Sequence, residues 1–183
     1  MIIHLVRHGQ TKYNQLKRIQ GTQDHPLTEE GVEDARGCAL ELSHKPIDAI
    51  FTSPLKRARD TAEIIGEKLG LTPEEDPRLK ERFFGTMEGE YYDQVDLDYN
   101  FWDDLDQHYP EHGIETKSLM DERALSFFNE IHRRGFSEVV VVSHGAFIRS
   151  MLRILSEGSH DLMESYRVPH NGEILTLRWR DLE

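Results

Sequence analysis

The chain has 183 residues, and its 34 acidic and 22 basic residues give a formal net charge of -12 at pH 7. A chain of this length suits one domain covering residues 1–183, so we expect no second hydrophobic core. The mean negative field repels nucleic acid and anionic lipid, which excludes both as expected partners. Any anionic ligand therefore needs a local basic pocket.

The single cysteine, Cys38, excludes an internal disulfide and a multi-cysteine metal site, and it fits a reducing cytosol. Residues 1–6 are too short for the apolar core of a signal peptide, and no basic residue precedes that run. No other run approaches the roughly 20 apolar residues of a membrane span. We therefore expect a soluble cytoplasmic protein without membrane contact.

The first predicted strand covers residues 2–6, where every position but His4 is apolar. His4 lies inside this strand, and we expect it to be packed there. Thr28 can cap the first long helix, and the spacing of the apolar residues after it places them on one face of that helix. A second strand covers residues 49–53. Ser53 and Pro54 suit the cap and first turn of the next helix, for which Gly70 is the expected end.

Residues 86–118 interrupt this alternation of strand and helix, because acidic residues there are interleaved with aromatic ones. We expect an inserted helical cap beside the functional site, with a solvated connecting segment as the alternative. In a cap, the carboxylates would disfavour a second phosphate on a substrate. The aromatic residues that could pack against the rest of that substrate are Tyr91, Tyr92, Phe101 and Trp102.

The alternation then resumes. A helix is predicted around residues 124–131, with its end at 133–135, and a third strand follows at 139–143. A helix at 147–155 and a last strand at 174–179 complete the pattern, with a β-turn expected at His170-Asn171-Gly172. The first three strands are apolar on both faces, as buried parallel strands are. The sequence therefore predicts an α/β fold, a three-layer α/β/α sandwich around a mainly parallel sheet.

Two of the predicted strands end in the same dipeptide. The first strand runs into Arg7-His8-Gly9, and the third runs into His144-Gly145. Ligands of open α/β sheets bind at the carboxyl ends of the strands. An imidazole beside a guanidinium suits an anionic substrate that a neutral ring nitrogen can attack. Either strand end alone is at least as consistent with two ordinary polar residues.

Four stretches in a fixed order strengthen the functional interpretation. They are Leu-Val-Arg-His at 5–8, Ser-Pro-Leu-Lys-Arg at 53–57, Leu-Lys-Glu-Arg at 79–82 and Ser-His-Gly at 143–145. Together they resemble the histidine phosphatase superfamily, also called the phosphoglycerate mutase-like family, from residue 5 to about residue 171. The resemblance implies that His8 is the nucleophile and becomes a phosphohistidine, and that Glu81 is the general acid. It also implies that three side chains bind the phosphoryl group: Arg7, Arg57 and His144.

The segment 13–28 also resembles the family. By that resemblance, Asn14, Gln20 and Gly21 contact the phosphoryl group through side-chain amides and a backbone N–H. The turn N–H at Gly145 can add a further donor. A plain turn glycine is the alternative for Gly21.

No metal or cofactor is expected. His108 and His112 have the spacing of a zinc pair on a helix, but Pro110 between them argues against a helix there. The chain also lacks a phosphate-binding Gly-rich Lys-Ser/Thr loop and a dinucleotide fingerprint.

Three functions stay open within this interpretation. The preferred one is a metal-independent phosphomonoesterase that hydrolyses a small phosphorylated metabolite. The first alternative is a cofactor-dependent phosphoglycerate mutase, although such mutases are longer, carry a basic insert where this chain is acidic, and tend to have threonine at the position of Gln20. The second alternative is a non-catalytic module that binds a phosphorylated ligand, although it would need neither His8 nor Glu81.

Overall fold

The structure, a computed structural model, describes residues 1–95, 105–156 and 168–179 of the chain. In this part of the chain one sheet contains β1 (Ile2–Arg7), β2 (Ala49–Thr52), β3 (Glu74–Glu75), β4 (Glu138–Ser143) and β5 (Ile174–Arg178). The strand order is β3-β2-β4-β1-β5. Only β5 runs antiparallel to its neighbour, so the predicted, mainly parallel sheet is confirmed.

Helices cover both faces of the sheet. The described helices are α1 (Lys12–Gln15), α2 (Glu29–Leu42), α3 (Lys56–Leu69), α4 (Leu105–His108), α5 (Lys117–Arg133) and α6 (Gly145–Ser156). Short 3₁₀ turns cover Pro77–Leu79, Gly85–Met87 and Pro110–His112. None of the helices in the described ranges is long and apolar enough to cross a membrane.

The strand β4 shows why the central strands are apolar throughout. Val139 and Val141 are buried in the cluster that contains residues of α5 and α6, whereas Val140 and Val142 are buried with residues of α2 and α3. Side chains alternate between the faces of a strand, so a strand covered by helices on both sides needs apolar residues at every position. This packing confirms the three-layer arrangement.

Several predicted helix ends agree with the structure. Thr28 caps α2, because its Oγ1 accepts a hydrogen bond from the Gly31 N–H at 3.0 Å. Gly70 ends α3 in the left-handed conformation, with φ of 70°. The helix α5 extends further towards its N-terminus than its apolar spacing indicated, and Thr116 caps it.

The cap predicted at Ser53 and Pro54 is wrong. The helix α3 begins at Lys56 after Leu55, and Leu55 gives no side-chain cap. The Oδ1 atom of Asp24 accepts the Lys56 N–H at 2.6 Å instead. The short edge strand β3 was also not predicted, because it has two glutamates and no apolar pattern.

The described part of segment 86–118 packs against the domain. Met87 and Leu105 are buried, and their cluster includes Ile19 and Ala146. The helix α4 ends at His108, and a separate 3₁₀ turn begins at Pro110, so the expected break between the two histidines is confirmed. Residues 96–104, with Phe101 and Trp102, lie outside the described residues.

The expected packing of His4 is also confirmed. The ring is 1% exposed, its Nε2 donates to Glu138 Oε1 at 2.7 Å, and its Nδ1 lies 2.8 Å from Thr176 Oγ1. The imidazole therefore links β1 to both neighbouring strands.

Removing the acceptor on β4 should destabilise this sheet. Glu138→Ala leaves the buried Nε2–H of His4 without its partner, which costs about 1–3 kcal/mol in free energy of unfolding. Glu138→Gln keeps an oxygen that can accept the hydrogen bond and should retain most of the stability. Urea denaturation of both variants measures the difference, and equal stabilities would show that the hydrogen bond contributes little.

Candidate active site

The register of β1 against β4 brings the two predicted histidines together. Arg7 is paired with Ser143, so the next residues on the two strands are His8 and His144. Their ring centroids are 5.1 Å apart. Both rings are buried, at 2% and 0% exposure.

A cavity of about 340 Å³ opens at this end of the sheet. Every predicted site residue except His144 contributes to its lining: Arg7, His8, Asn14, Gln20, Gly21, Arg57, Glu81 and Gly145. Tyr92, which was expected to pack against the substrate, also lines the cavity. The lining is completed by residues that were not predicted to belong to the site: Phe84, Ala146, Val168, Pro169 and His170. Parts of the chain far apart in sequence therefore share one pocket.

The hydrogen bonds of His8 identify which ring nitrogen can react. Its Nδ1 lies 2.8 Å from the carbonyl oxygen of Gly9, which can only accept, so the ring proton is on Nδ1. The lone pair is then on Nε2, and Arg57 Nε donates to it at 3.2 Å. Burial first, and then the charges of Arg57 and Arg7, lower the pKa of His8 well below its ordinary value. The ring is thus neutral, which is the form in which an imidazole can act as a nucleophile.

Backbone carbonyls hold Arg57 in place. Its Nη1 donates to the Gln23 carbonyl and its Nη2 to the Gly21 carbonyl, both at 2.7 Å. Each of these nitrogens carries a second N–H. Burial lowers the pKa of Arg57 to about 10, so the guanidinium stays charged at neutral pH. The fixed side chain can therefore offer positive donors to an anion in the cavity.

The second arginine depends on the segment before β5. Arg7 Nη1 donates to the Pro169 carbonyl at 2.6 Å. At position 145, a Cβ would lie 2.6 Å from Val168 Cγ1 and 3.6 Å from Arg7 Cζ. A side chain at position 145 would therefore displace Val168, so this close approach favours glycine there in addition to any contact that its N–H makes.

Asn14 and Gln20 line the cavity, and their amide oxygens accept hydrogen bonds from the protein. The Thr11 N–H donates to Asn14 Oδ1 at 3.0 Å, and the Thr11 hydroxyl lies 2.8 Å from Gln20 Oε1. Asn171 Nδ2 also donates to Asn14 Oδ1 at 3.3 Å, and to the His8 carbonyl at 2.9 Å. With both amide oxygens used as acceptors, the nitrogens are the groups left for a ligand.

Thr11 and Asn171 were not predicted as part of the site. Thr11 and Asn14 form a capping box at the start of α1, and their spacing was a signal that sequence reasoning could have used. Asn171 lies in the predicted turn before β5, but its side chain also binds at the site. Nothing local in the sequence indicates that second contact.

Backbone N–H groups surround the carboxylate of Glu81. Its Oε1 accepts from the N–H groups of Arg82 at 2.9 Å and Phe147 at 3.2 Å, and its Oε2 accepts from Ala146 at 3.3 Å. Two of these donors belong to the first turn of α6. The carboxylate is thus held at the wall of the cavity next to Gly145.

Glu88 supports the site from outside the cavity lining. Its Oε1 accepts from the N–H groups of Thr22 at 2.8 Å and Phe84 at 3.2 Å. A Cβ at Gly21, which has φ of 52°, would lie 1.9 Å from the same oxygen. Glu88 therefore joins the loop that carries Gly21 to the loop that follows Glu81.

Ser53 orients His144. The Ser53 hydroxyl accepts from the Leu55 N–H at 3.3 Å and lies 2.8 Å from His144 Nε2. The hydroxyl can donate its own proton to that nitrogen, and we expect this tautomer, in which the ring proton of His144 is on Nδ1. The Nδ1 atom has no hydrogen-bond partner in the described part of the chain. Burial, followed by Arg57, lowers the pKa of His144 well below its ordinary value. Sequence reasoning assigned Ser53 to a helix cap and missed this contact.

No group of three or more His, Cys, Asp or Glu side chains is arranged to hold a metal ion within residues 1–95, 105–156 and 168–179.

Comparison with known proteins identifies the family of this chain. Residues 3–183 match the histidine phosphatase superfamily, branch 1. The chain belongs to this superfamily. The resemblance inferred from the four sequence stretches is thereby confirmed.

Several relatives carry phosphatase names. The chain is 34% identical to the uncharacterized phosphatase PhoE of Bacillus subtilis, over 96% of this chain and 90% of that protein. It is 31% identical to the putative phosphoserine phosphatase 2 of Hydrogenobacter thermophilus, over 84% and 78%. It is also 43% identical to the probable phosphoglycerate mutase GpmB of Serratia proteamaculans, but only over 51% and 43%.

Solved structures share the fold. The mycobacterial glucosyl-3-phosphoglycerate phosphatase superposes with a TM-score of 0.83 at 28% identity, over 96% of this chain and 88% of that one. The predicted fold class therefore agrees with the fold of solved members of the family.

The two buried histidines should resist protonation. Between about pH 8 and pH 6, where an ordinary histidine titrates, NMR spectra of the side-chain nitrogens should show both His8 and His144 neutral, with the proton on Nδ1. Ser53→Ala should disturb the tautomer of His144 and leave that of His8 unchanged. An Nε2-protonated His144 in the unmodified protein would contradict the assignment.

The lowered pKa values of His8 and His144 set the direction in which the stability of the protein depends on pH. The unfolded histidines take up protons near pH 6.5, whereas these two rings do so only at lower pH when folded. The unfolded state therefore binds more protons, and the free energy of unfolding contributed by these groups should fall as pH decreases below about 6.5.

Proposed function

We propose that the protein is a phosphomonoester hydrolase that works through a phosphohistidine intermediate on a small phosphorylated substrate, without a metal ion. The observation that carries the proposal is the neutral Nε2 of His8, at the cavity and within hydrogen-bond distance of Arg57. A neutral ring nitrogen with a fixed cation beside it is suited to attack an anionic phosphorus centre. Phosphatase names among its relatives support the same reaction class.

In the first step, the Nε2 lone pair of His8 attacks phosphorus and forms a P–N bond while the P–O bond to the alcohol breaks. Glu81 gives its proton to the leaving oxygen. In the second step, a water oxygen attacks phosphorus, Glu81 takes a proton from that water, and the P–N bond breaks. Inorganic phosphate leaves, and His8 and Glu81 return to their starting protonation states.

The charge of the transferring group would be balanced by the cradle around His8. Arg7 and Arg57 supply fixed positive charge, and the amide nitrogens of Asn14 and Gln20 add neutral donors. The Nδ1–H of His144 and the N–H of Gly145 complete the proposed set. Held by their own hydrogen bonds, these donors need little rearrangement when the phosphoryl group moves to His8.

The rest of the cavity suits a small and largely apolar alcohol part. Phe84, Tyr92, Val168 and Pro169 supply apolar or aromatic surface. Tyr92 comes from the segment proposed as a cap. Glu88, an acid of the same segment, binds backbone N–H groups and does not line the cavity. The contacts of Glu88 therefore do not support the expectation that acids of this segment repel a second phosphate.

Hydrolysis is favoured over mutase activity by the extent of similarity. The phosphatase-named relatives align over 84% and 96% of the chain, whereas the mutase-named relative aligns over 51%. Assays of phosphate release from a panel of phosphorylated metabolites, with and without EDTA, test the reaction, its metal independence and the substrate class together. Isomerisation of phosphoglycerate without phosphate release would favour the mutase, and tight binding without turnover would favour a binding module.

Removing the proposed nucleophile should abolish turnover. His8→Ala should lower kcat for p-nitrophenyl phosphate by at least about 10³-fold, as expected when a nucleophile is deleted. The unmodified enzyme, quenched during turnover of labelled substrate, should carry an acid-labile, base-stable phosphoryl group on His8. His44→Ala, at an exposed histidine, is the control and should retain full activity. Turnover by His8→Ala at the unmodified rate would refute the mechanism.

The role of Glu81 should depend on the leaving group. A p-nitrophenolate leaves without protonation, whereas an alkoxide needs a proton, so Glu81→Gln should slow alkyl phosphates by about 10²–10⁴-fold and p-nitrophenyl phosphate much less. The measurement is kcat/KM for both substrate types in both proteins. Equal losses would show that Glu81 only supports the pocket.

A further inference from the structure

We infer that Arg123 is a positioning residue for Glu81, acting through the backbone that carries this carboxylate. The inference rests on the proposed role of Glu81 as the general acid. Arg123 lies on α5 and does not line the described cavity, so any effect of its side chain on the reaction must pass through other residues.

The guanidinium of Arg123 uses all five of its N–H bonds. Its Nη1 donates to the carbonyl of Arg78 at 2.5 Å and to that of Lys80 at 2.7 Å, and its Nη2 donates to the carbonyl of Glu81 at 3.3 Å. The remaining two N–H bonds go to the carboxylate of Glu115, at 2.7 and 2.9 Å. Three of the four carbonyls in segment 78–81 are thus bound by one rigid, planar group.

Glu115 is itself attached to the same loop. Its N–H donates to the Phe83 carbonyl at 2.8 Å, and its own carbonyl accepts from Arg82 Nε at 2.8 Å. The ion pair between Arg123 and Glu115 therefore connects two backbone segments that flank Glu81 on either side. A partly buried, bidentate pair of this kind has little freedom to reorient.

A second contact links Arg123 to the other side of the carboxylate. The Arg123 Cζ lies 5.4 Å from the centroid of the Phe147 ring, within the range of a cation–π interaction. The N–H of Phe147 is one of the donors to Glu81 Oε1, at 3.2 Å. Arg123 thus contacts both the residue that carries the carboxylate and a residue that orients it.

Lysine cannot replace this arrangement. An ammonium group has three donors on one atom and no planar fork, so Arg123→Lys keeps the positive charge but cannot bind three carbonyls and a carboxylate together. The segment 78–81 would then have more freedom, and the Glu81 oxygen would be less often within reach of the leaving oxygen. Small misplacements of reacting groups can cost up to about 10²-fold in rate.

The test compares Arg123→Lys with Arg134→Lys. Arg134 also makes a bidentate pair, with Glu74 at 2.8 Å for both hydrogen bonds, but it lies at the far end of α5 and does not contact segment 78–81. Arg123→Lys should lower kcat/KM for an alkyl phosphate by about 10- to 100-fold. Its effect on kcat/KM for p-nitrophenyl phosphate should be much smaller, and Arg134→Lys should leave kcat/KM for both substrates unchanged.

The ratio of the two kcat/KM values is the informative quantity, because it does not depend on how much of the variant is folded. Arg123→Lys should change this ratio in the unmodified protein but not in a Glu81→Gln background, where the proton donor is already absent. Equal losses on both substrates, or an undiminished effect in the Glu81→Gln background, would overturn the inference and make Arg123 a purely structural residue.

Failure of the inference is distinguishable from failure of the proposed function. If the unmodified protein turns over phosphomonoesters and Glu81→Gln shows the leaving-group effect while Arg123→Lys does not, only the inference fails. If Glu81→Gln lowers kcat/KM equally for both substrates, the proposed role of Glu81 and the inference fail together. Turnover by His8→Ala at the unmodified rate would remove the proposed mechanism itself.

Discussion

The site depends on the parallel pairing of β1 with β4. Because Arg7 and Ser143 are the last paired residues, the next residue on each strand is a histidine, and the two rings lie 5.1 Å apart. A shift of either strand by one residue would turn its side chains to the opposite face. The apolar contacts that fix this register on both faces of the sheet therefore also fix the distance between the two imidazoles.

Burying two imidazoles beside a guanidinium requires that the rings remain neutral. Protonation would place a second charge next to Arg57 in a poorly solvated region, which is strongly unfavourable. Arg57 keeps its charge because carbonyls of Gly21 and Gln23 accept its hydrogen bonds. The carbonyls that hold the Arg57 cation in place thus also favour the neutral form of His8, which has a lone pair on Nε2.

Strand ends and helix ends could be predicted from the sequence because their signals are local. The Arg-His-Gly turn, the cap at Thr28 and the stop at Gly70 each depend on a few adjacent residues. The missed contacts join distant segments: Ser53 with His144, 91 residues apart, and Asn171 with the carbonyl of His8, 163 residues apart. A single sequence does not record such pairings, so Ser53 was interpreted by its neighbours as a cap.

The contacts of Arg7 have a consequence for the order of folding. Its backbone N–H donates to the carbonyl of Glu173, its own carbonyl accepts from Gly172, and its side chain reaches Pro169, a residue 162 positions later. During synthesis, Arg7 and His8 leave the ribosome early but acquire these partners only after the segment before β5 has emerged. Contacts of such large sequence separation form late and slowly. A nascent chain would therefore hold His8, the proposed nucleophile, in an unfinished pocket until nearly the whole sheet was available.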